Sequence, residues 1–188
     1  MVTIEQLVTM SENGKDYPIH QKKEVTNQLV SLKKENLRAS EYAKRTIQEL
    51  FPKEIIEQSI VKQSTLSASV VAINEGNGQF KIQKLPPRVQ FSCVCDISCM
   101  DVNNDGHLDL IMAGNNFEFK PQFSRLDANF GNVLLGDGAL NFEWQNYDES
   151  GFFVRDEVKH LKTVRDRNGN QFLVAAINEG KPKIFALK

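Results

Sequence analysis

The sequence predicts a mainly β protein with an N-terminal α-helical segment. The β part is expected to form a partial β-propeller of about two to three four-stranded antiparallel blades. Two observations predict this fold. Residues 1–60 are rich in Lys, Glu, Gln and Leu, whereas residues 61–188 consist of short β-branched and aromatic runs separated by Gly, Asn and Asp. The β part also contains three similar segments, which indicate a repeated architecture.

The helical segment is expected to contain three helices. Apolar residues recur at helical spacing over residues 25–37, which predicts the first helix. A capped second helix is predicted over residues 40–50, and Pro52 ends it and opens a short third helix. The polar residues up to Pro18 are expected to form a loop.

The β part begins with a hairpin that is repeated along the chain. Residues 70–80, 133–142 and 174–184 each combine an apolar strand, a glycine turn and a second strand. Asn77-Gly78 and Asp137-Gly138 are natural hairpin corners, because Asn, Asp and Gly tolerate positive φ.

The predicted strands fall into sets of two, four and three. They are expected near residues 67–84 as a hairpin, 91–100, 108–114, 131–146 as a hairpin, 157–165, 171–178 and 182–187. Sets of four antiparallel strands are typical of propeller blades, and the last set of three lacks one strand. The chain is therefore expected to be part of a larger propeller, completed by further blades, by a second copy or by a cap of residues 1–60.

A nine-residue segment between two predicted strands has the spacing of a calcium loop. Side-chain oxygens occupy its first, third, fifth and ninth positions, and Gly106 permits the sharp reversal of the backbone. Calcium prefers such a set of oxygen ligands, and three carboxylates in one small loop are best accommodated around a cation. The predicted ligands are Asp101, Asn103, Asp105, the carbonyl of His107 and Asp109.

The flanks of this loop distinguish it from an EF-hand. An EF-hand has a glutamate at position 12 and helices on both sides, whereas Met112 stands there in this chain. The flanking residues alternate as in strands, and the apolar face of the first strand is expected to carry Phe91, Cys93, Cys95, Ile97 and Cys99. A β-turn that binds no metal is the alternative interpretation.

Asp101 to Asp109, followed by Leu110-Ile-Met-Ala-Gly-Asn115, resembles the FG-GAP or VCBS repeats of the integrin-α-like β-propeller family. The motif of that family has an Asp where this chain has Asn103. The likeness extends over most of the chain to the C-terminal portion of bacterial exported members, including the segment 121–131 before Val133-Leu-Leu-Gly-Asp-Gly.

The resemblance implies a seven-bladed propeller, a role in adhesion or recognition, and an extracellular, periplasmic or cell-surface location. Seven blades do not fit in 188 residues, and residues 1–7 do not look like a signal peptide, so a fragment of a longer propeller is expected. A single calcium site is predicted, because the turn at 166–170 has no acidic residue at its ninth position.

Three other groups of residues are candidate metal-binding or ligand-binding sites. Cys93, Cys95 and Cys99 could bind zinc with His107 or His160, but their spacing on one strand face favours buried free thiols. Arg125 and Asp127 are predicted to brace the longest β loop rather than bind a ligand. Core packing, or a cover over the lower edge of the blade, is favoured over an exposed recognition patch for Phe117, Phe119, Phe123 and Phe130.

The composition and motifs favour a non-catalytic binding or scaffold protein. The net charge of −1 argues against general nucleic-acid binding, and no run is apolar enough for a membrane span. No sequence motif of a hydrolase, a zinc protease or a phosphate-binding loop is present. The alternative is a fragment of a carbohydrate-active enzyme with catalytic carboxylates in the 115–130 loop. The ligand is expected to be a protein or a glycan.

Overall fold

The structure, a computed structural model, describes residues 6–119 and 123–187. The chain divides into two compact units between Ser64 and Thr65. The protein is mainly β, and the sheets formed by the described residues are small, antiparallel and open. None of the helices in the described ranges has the length and apolar character needed to cross a membrane.

The first unit begins with a hairpin rather than the predicted loop. Strands β1 (Thr9–Glu12) and β2 (Lys15–Pro18) pair antiparallel around Asn13 and Gly14, whose φ angles are 51° and 74°. An Asn-Gly pair is a strong signal for a tight hairpin turn, and it overrides the polar character of the flanking residues. The prediction of a loop up to Pro18 was therefore wrong.

Five short helices follow the hairpin. The first two predicted helices are each divided, and α5 begins directly after Pro52 as predicted. A capping box between Thr46 and Glu49 starts a new helix within the second predicted one. A small core of Val25, Leu32, Tyr42 and Leu50 holds the helices together. The helices are α1 (Lys22–Gln28), α2 (Leu32–Glu35), α3 (Ala39–Tyr42), α4 (Ile47–Leu50) and α5 (Lys53–Glu57).

The second unit contains three consecutive antiparallel sheets of two, four and three strands, which is the division that the sequence pattern predicts. In the larger two sheets the strands lie side by side in chain order. The hairpin is β3 (Val70–Gly76) and β4 (Gln79–Lys84). The central sheet is β5 (Val94–Met100), β6 (Asp109–Gly114), β7 (Asn132–Gly136) and β8 (Phe142–Gln145). The last sheet is β9 (Val158–Arg165), β10 (Gln171–Ile177) and β11 (Lys183–Leu187).

Two short helices connect these sheets. A 3-10 helix, Pro87–Gln90, lies between β4 and β5, and α6 (Tyr147–Ser150) lies between β8 and β9. Gly151 ends α6 in the left-handed conformation, with φ of 64°, which an L side chain rarely adopts.

The central sheet is covered on both faces. On one face Met112 and Leu134 pack with Val71 of the first hairpin. On the other face Ile111 packs with Leu173 of the last sheet. Strand β6 is therefore buried on both sides, and it reads as a continuous apolar run rather than as an alternation.

The prediction of which face of β5 lies in the core was wrong. Cys95, Ile97 and Cys99 are exposed, whereas the alternating residues from Val94 to Met100 are half-buried. The reason lies in the neighbouring strand β9: Asp96 accepts a hydrogen bond of 2.8 Å from the backbone N–H of Leu161. Because the Asp96 side chain hydrogen-bonds the backbone of the last sheet, it faces inward. The alternating residues Cys95, Ile97 and Cys99 therefore face outward.

Candidate metal loop and its surroundings

The predicted calcium loop connects β5 and β6, and the two strands pair up to Met100 and Asp109 at its ends. The prediction that strands rather than helices flank this loop is confirmed. Asn104 and Gly106 adopt left-handed backbone conformations, with φ of 60° and 88°. These two residues reverse the chain within the loop.

Asp101 organises the curl of the loop through backbone hydrogen bonds. Its carboxylate accepts the N–H of Asp105 at 3.2 Å and the N–H of Gly106 at 2.8 Å. The first and the middle residues of the loop are thereby held next to each other. This arrangement leaves the further lone pairs of the Asp101 oxygens available for a cation.

Asn103 and Asp105 contact each other directly on the exposed side of the loop. The Asn103 amide donates to Asp105 Oδ2 at 2.8 Å, and the His107 N–H donates to Asp105 Oδ1 at 2.8 Å. These hydrogen bonds lower the pKa of Asp105, the Asn103 amide having the largest effect. Asp105 therefore carries its negative charge at neutral pH.

Asp109 differs from the other loop carboxylates because it is fully buried. Its Oδ2 accepts the N–H of Val102 at 2.8 Å, and its Oδ1 accepts the N–H of Gly136 at 2.8 Å. One carboxylate thus fastens both the start of the loop and the end of β7. Asp109 has a structural role that its position in the motif does not reveal.

The donor set of the loop fits calcium by chemistry, because every predicted ligand offers a hard oxygen atom. The hydrogen bonds bring Asp101, Asn103 and Asp105 together, while Asp109 is engaged below them in the sheet. Within the described residues, no group of three or more His, Cys, Asp or Glu side chains is gathered closely enough to hold a metal ion. The hydrogen bond between Asn103 and Asp105 uses the Asn103 amide nitrogen, so the Asn103 side-chain oxygen and the further lone pairs of the Asp105 carboxylate remain available for a cation.

The side chain of His107 lies against the turn between β7 and β8. A Cβ atom built on Gly138 would be 2.4 Å from His107 Nδ1, and Gly138 has a φ of 73°. Glycine at this corner adopts the left-handed conformation without strain and leaves room for the imidazole. The contact joins the loop 101–109 to the turn at Asp137-Gly138 between β7 and β8.

Two other acidic turns are closed by internal hydrogen bonds. Asp166, between β9 and β10, accepts the backbone N–H groups of Asn168 and Asn170 and the side-chain amide of Asn170. Asp137, between β7 and β8, receives the equivalent side-chain bond from Asn141. The turn at 166–170 occupies the corner of the last sheet that corresponds to the calcium loop.

We expect the Asp166→Asn variant to lose less stability in acid than the native chain. The Asn170 amide, followed by backbone N–H groups, lowers the pKa of Asp166 in the folded protein. A lowered folded pKa gives stability that is present above the unfolded pKa of about 4 and is lost as the pH falls through the folded value. The stability difference between the two proteins, measured by urea unfolding, should therefore shrink between about pH 6 and about pH 3. Equal differences at both pH values would contradict this prediction.

The three cysteines are free, and within the part of the chain that the structure describes they do not gather with His107 or His160 into a group of potential metal ligands. Cys93 is half-buried and the other two thiols are exposed, so the expectation of buried thiols was wrong for Cys95 and Cys99. His160 lies beside Asp96, with 3.6 Å between Nδ1 and Oδ2.

The predicted contact between Arg125 and Asp127 is present in the loop over residues 115–130. Arg125 Nε lies 3.5 Å from Asp127 Oδ2, and both side chains are 58% exposed. Glu118 is also exposed, so Glu118 and Asp127, the two acidic residues of this loop and the candidate carboxylates of the enzyme alternative, both lie on the surface. Residues 120–122 of this loop lie outside the described residues.

The predicted phenylalanine set does not form one cluster. Phe119 and Phe123 contact edge to face at 6.4 Å, and Phe117 stacks under Arg125 with 3.9 Å between the guanidinium carbon and the ring centroid. Phe130 lies instead beside Tyr147. Core packing was therefore wrong for Phe119, which is 42% exposed.

A buried asparagine supports the loop region, and the sequence analysis did not identify it. The Asn115 amide donates to the carbonyl of Asn129 at 2.6 Å, and its Oδ1 accepts the N–H of Asn129 at 2.9 Å and the hydroxyl of Ser92 at 3.1 Å. Asn115 is fully buried. The only sequence signal is a polar residue at the end of an apolar strand, which is also typical of an ordinary turn.

No protein-family model, curated protein or solved structure matches this chain.

Proposed function

We propose that this chain is a non-catalytic, calcium-binding protein of the β-propeller type that acts in recognition or as a surface scaffold. The observation that carries the proposal is the strand–loop–strand unit at Asp101 to Asp109, whose donor groups are all oxygen atoms and whose curl is fixed by the Asp101 carboxylate. Oxygen-rich loops of this kind suit a hard divalent cation.

The arrangement of sheets supports the propeller part of the proposal. Three consecutive antiparallel sheets pack face to face, and the four strands of the central sheet follow chain order. Packed four-stranded sheets in chain order are the building blocks of propellers. The resemblance to FG-GAP or VCBS repeats, with its extracellular, periplasmic or cell-surface location, belongs to this proposal.

The outer faces of the second unit support association with further blades or with a second copy. Phe80 and Ile82 are 58% and 51% exposed on the first hairpin, opposite the side that packs on the central sheet. Val164 and Ile184 are 41% and 65% exposed on the last sheet. Apolar sheet faces of this kind are normally covered by a neighbouring sheet in a propeller.

Calcium is expected to raise the melting temperature of the native chain but not of the Asp105→Ala variant. At free calcium a hundredfold above the dissociation constant, binding contributes about 2.7 kcal/mol. For a protein of this size the shift should be roughly 5 to 10 °C. The measurement compares excess EDTA with millimolar calcium in thermal unfolding.

The Asp166→Ala variant is the matched control for this experiment, because Asp166 closes a similar turn in the last sheet. Measured against its own melting temperature in EDTA, it should keep the full calcium-dependent rise. If the native chain melts at the same temperature in EDTA and in calcium, the calcium proposal is wrong. A shift that persists in Asp105→Ala would place the ion elsewhere.

A further inference from the structure

A continuous surface of aromatic rings and arginines lies beside the outer edge of the central sheet. Four aromatic rings contact one another: Trp144 with Tyr147 at 5.3 Å, Tyr147 with Phe153 at 5.2 Å, and Phe130 with Phe153 at 5.7 Å between ring centroids. We call these rings and the two arginines stacked on them the aromatic–arginine surface. Its residues are Arg88, Phe130, Trp144, Tyr147, Phe153 and Arg155.

The backbone after α6 places two of these side chains outward. From Phe152 to Arg155 the residues alternate between buried and exposed, so Phe152 and Val154 enter the core while Phe153 and Arg155 face solvent. Phe153 is 44% exposed. A single exposed phenylalanine is unremarkable in a protein, but a connected set with arginines marks an interaction surface.

Both arginines stack on rings, and neither guanidinium donates a hydrogen bond to another residue that the structure describes. The Arg88 guanidinium carbon lies 5.1 Å from the Trp144 centroid, and that of Arg155 lies 5.3 Å from the Phe153 centroid. Within the described residues, neither arginine forms a salt bridge. Arg125 differs, because it stacks on Phe117 but is already paired with Asp127.

We propose that the aromatic–arginine surface binds an acidic peptide segment of a partner protein, with an aromatic or apolar side chain between its carboxylates. A stacked guanidinium uses its face for the ring and can still bind a carboxylate through two in-plane N–H groups. Trp, Tyr and Arg are also the residues that dominate the binding energy of protein interfaces. The proposal rests on the recognition role above and does not require calcium.

The ring geometry favours a peptide over an acidic glycan. Trp144 and Tyr147 are inclined at 87°, and Tyr147 and Phe153 at 74°. Sugar rings stack on exposed flat ring faces, whereas neighbouring rings here are steeply inclined to one another and Trp144 and Tyr147 are half-buried. Side chains of a peptide can fill such a corrugated surface, since aromatic pairs favour edge-to-face contact.

Trp144 is the only tryptophan in the chain, so its fluorescence reports directly on this surface. The probe is a random copolymer of glutamate and tyrosine, titrated at about 0.15 M salt with selective excitation of Trp144. We expect a saturable change, with affinity at least about tenfold weaker for polyglutamate. Arg88→Ala and Arg155→Ala should each weaken copolymer binding at least about tenfold.

Three controls make the outcome decisive. Arg125→Ala should bind like the native chain, and Arg88→Lys should bind more weakly than the native chain because it keeps the charge but loses the planar fork. Calorimetry on the same proteins gives a readout that is independent of Trp144. Copolymer binding should be equal in EDTA and in calcium. A failure of the peptide-binding proposal can therefore be distinguished from a failure of the calcium proposal.

Three results would overturn the proposal. The first is equal copolymer binding by the native chain and both alanine variants. The second is equal binding of polyglutamate and the copolymer, which would reduce the interaction to general charge attraction. The third is a response to polygalacturonate with none to the copolymer, which would identify an acidic glycan instead.

Discussion

Asp109→Ala is expected to lower the free energy of unfolding of the second unit by about 2 to 4 kcal/mol, even in EDTA. The carboxylate is fully buried and accepts the N–H groups of Val102 and Gly136. Alanine would leave both donors without an acceptor, Gly136 at a buried position and Val102 at a half-buried one, and each buried unsatisfied group costs about 1 to 3 kcal/mol. The loss is therefore structural and independent of any metal.

Urea unfolding in excess EDTA, followed by Trp144 fluorescence, measures this effect because Trp144 lies in the second unit. Asp105→Ala is the matched control from the same loop, since Asp105 is exposed and water can replace its hydrogen bonds. Its stability in EDTA should stay within about 0.5 kcal/mol of the native value. If the two variants lose the same stability in EDTA, the assignment of separate roles is wrong.

Asn115→Ala is expected to destabilise the second unit by about 3 kcal/mol or more, through two unsatisfied backbone groups. The Asn115 side chain satisfies both the N–H and the carbonyl of Asn129, which is itself buried. Asn129 in turn donates to the carbonyl of Cys93 at 3.0 Å. The substitution should loosen two connected segments rather than remove one contact.

The control for this prediction is Asn168→Ala, because Asn168 is an exposed asparagine in the turn between β9 and β10. Its change in stability should be within about 0.5 kcal/mol in the same urea experiment. Hydrogen exchange should also show faster exchange of the Asn129 amide in Asn115→Ala. A variant as stable as the native chain would mean that water reaches and satisfies the Asn129 groups.

The two roles of Asp109 affect how the calcium proposal is tested. A change at Asp109 would alter both the predicted ligand set and the attachment of β7, so its effect on melting could not be assigned to the ion. Among the described residues, the hydrogen bonds of Asp105 all lie within the loop. Asp105→Ala is therefore the substitution that separates ion binding from folding.

The sequence by itself determined the order of the β strands and the position of the oxygen-rich loop. Alternation, apolar runs and Asn or Asp followed by Gly are local signals, and they located each strand of the second unit to within a few residues. The loop 101–109 was recognisable for the same reason, since all of its predicted ligands lie within nine residues. Asn13-Gly14 carries the same local signal, and the chain forms a hairpin there.

Only the tertiary structure decided which face of β5 is inside, what Asp109 and Asn115 hold, and which rings form the aromatic–arginine surface. Each of these depends on a partner far along the chain, such as Leu161 for Asp96 or Gly136 for Asp109. The periodicity of a sequence shows which positions of a strand are polar. It does not show which backbone N–H or carbonyl group each polar side chain will hydrogen-bond in the folded protein. A polar side chain is buried where it can hydrogen-bond a backbone group that would otherwise have no partner once the sheets have packed.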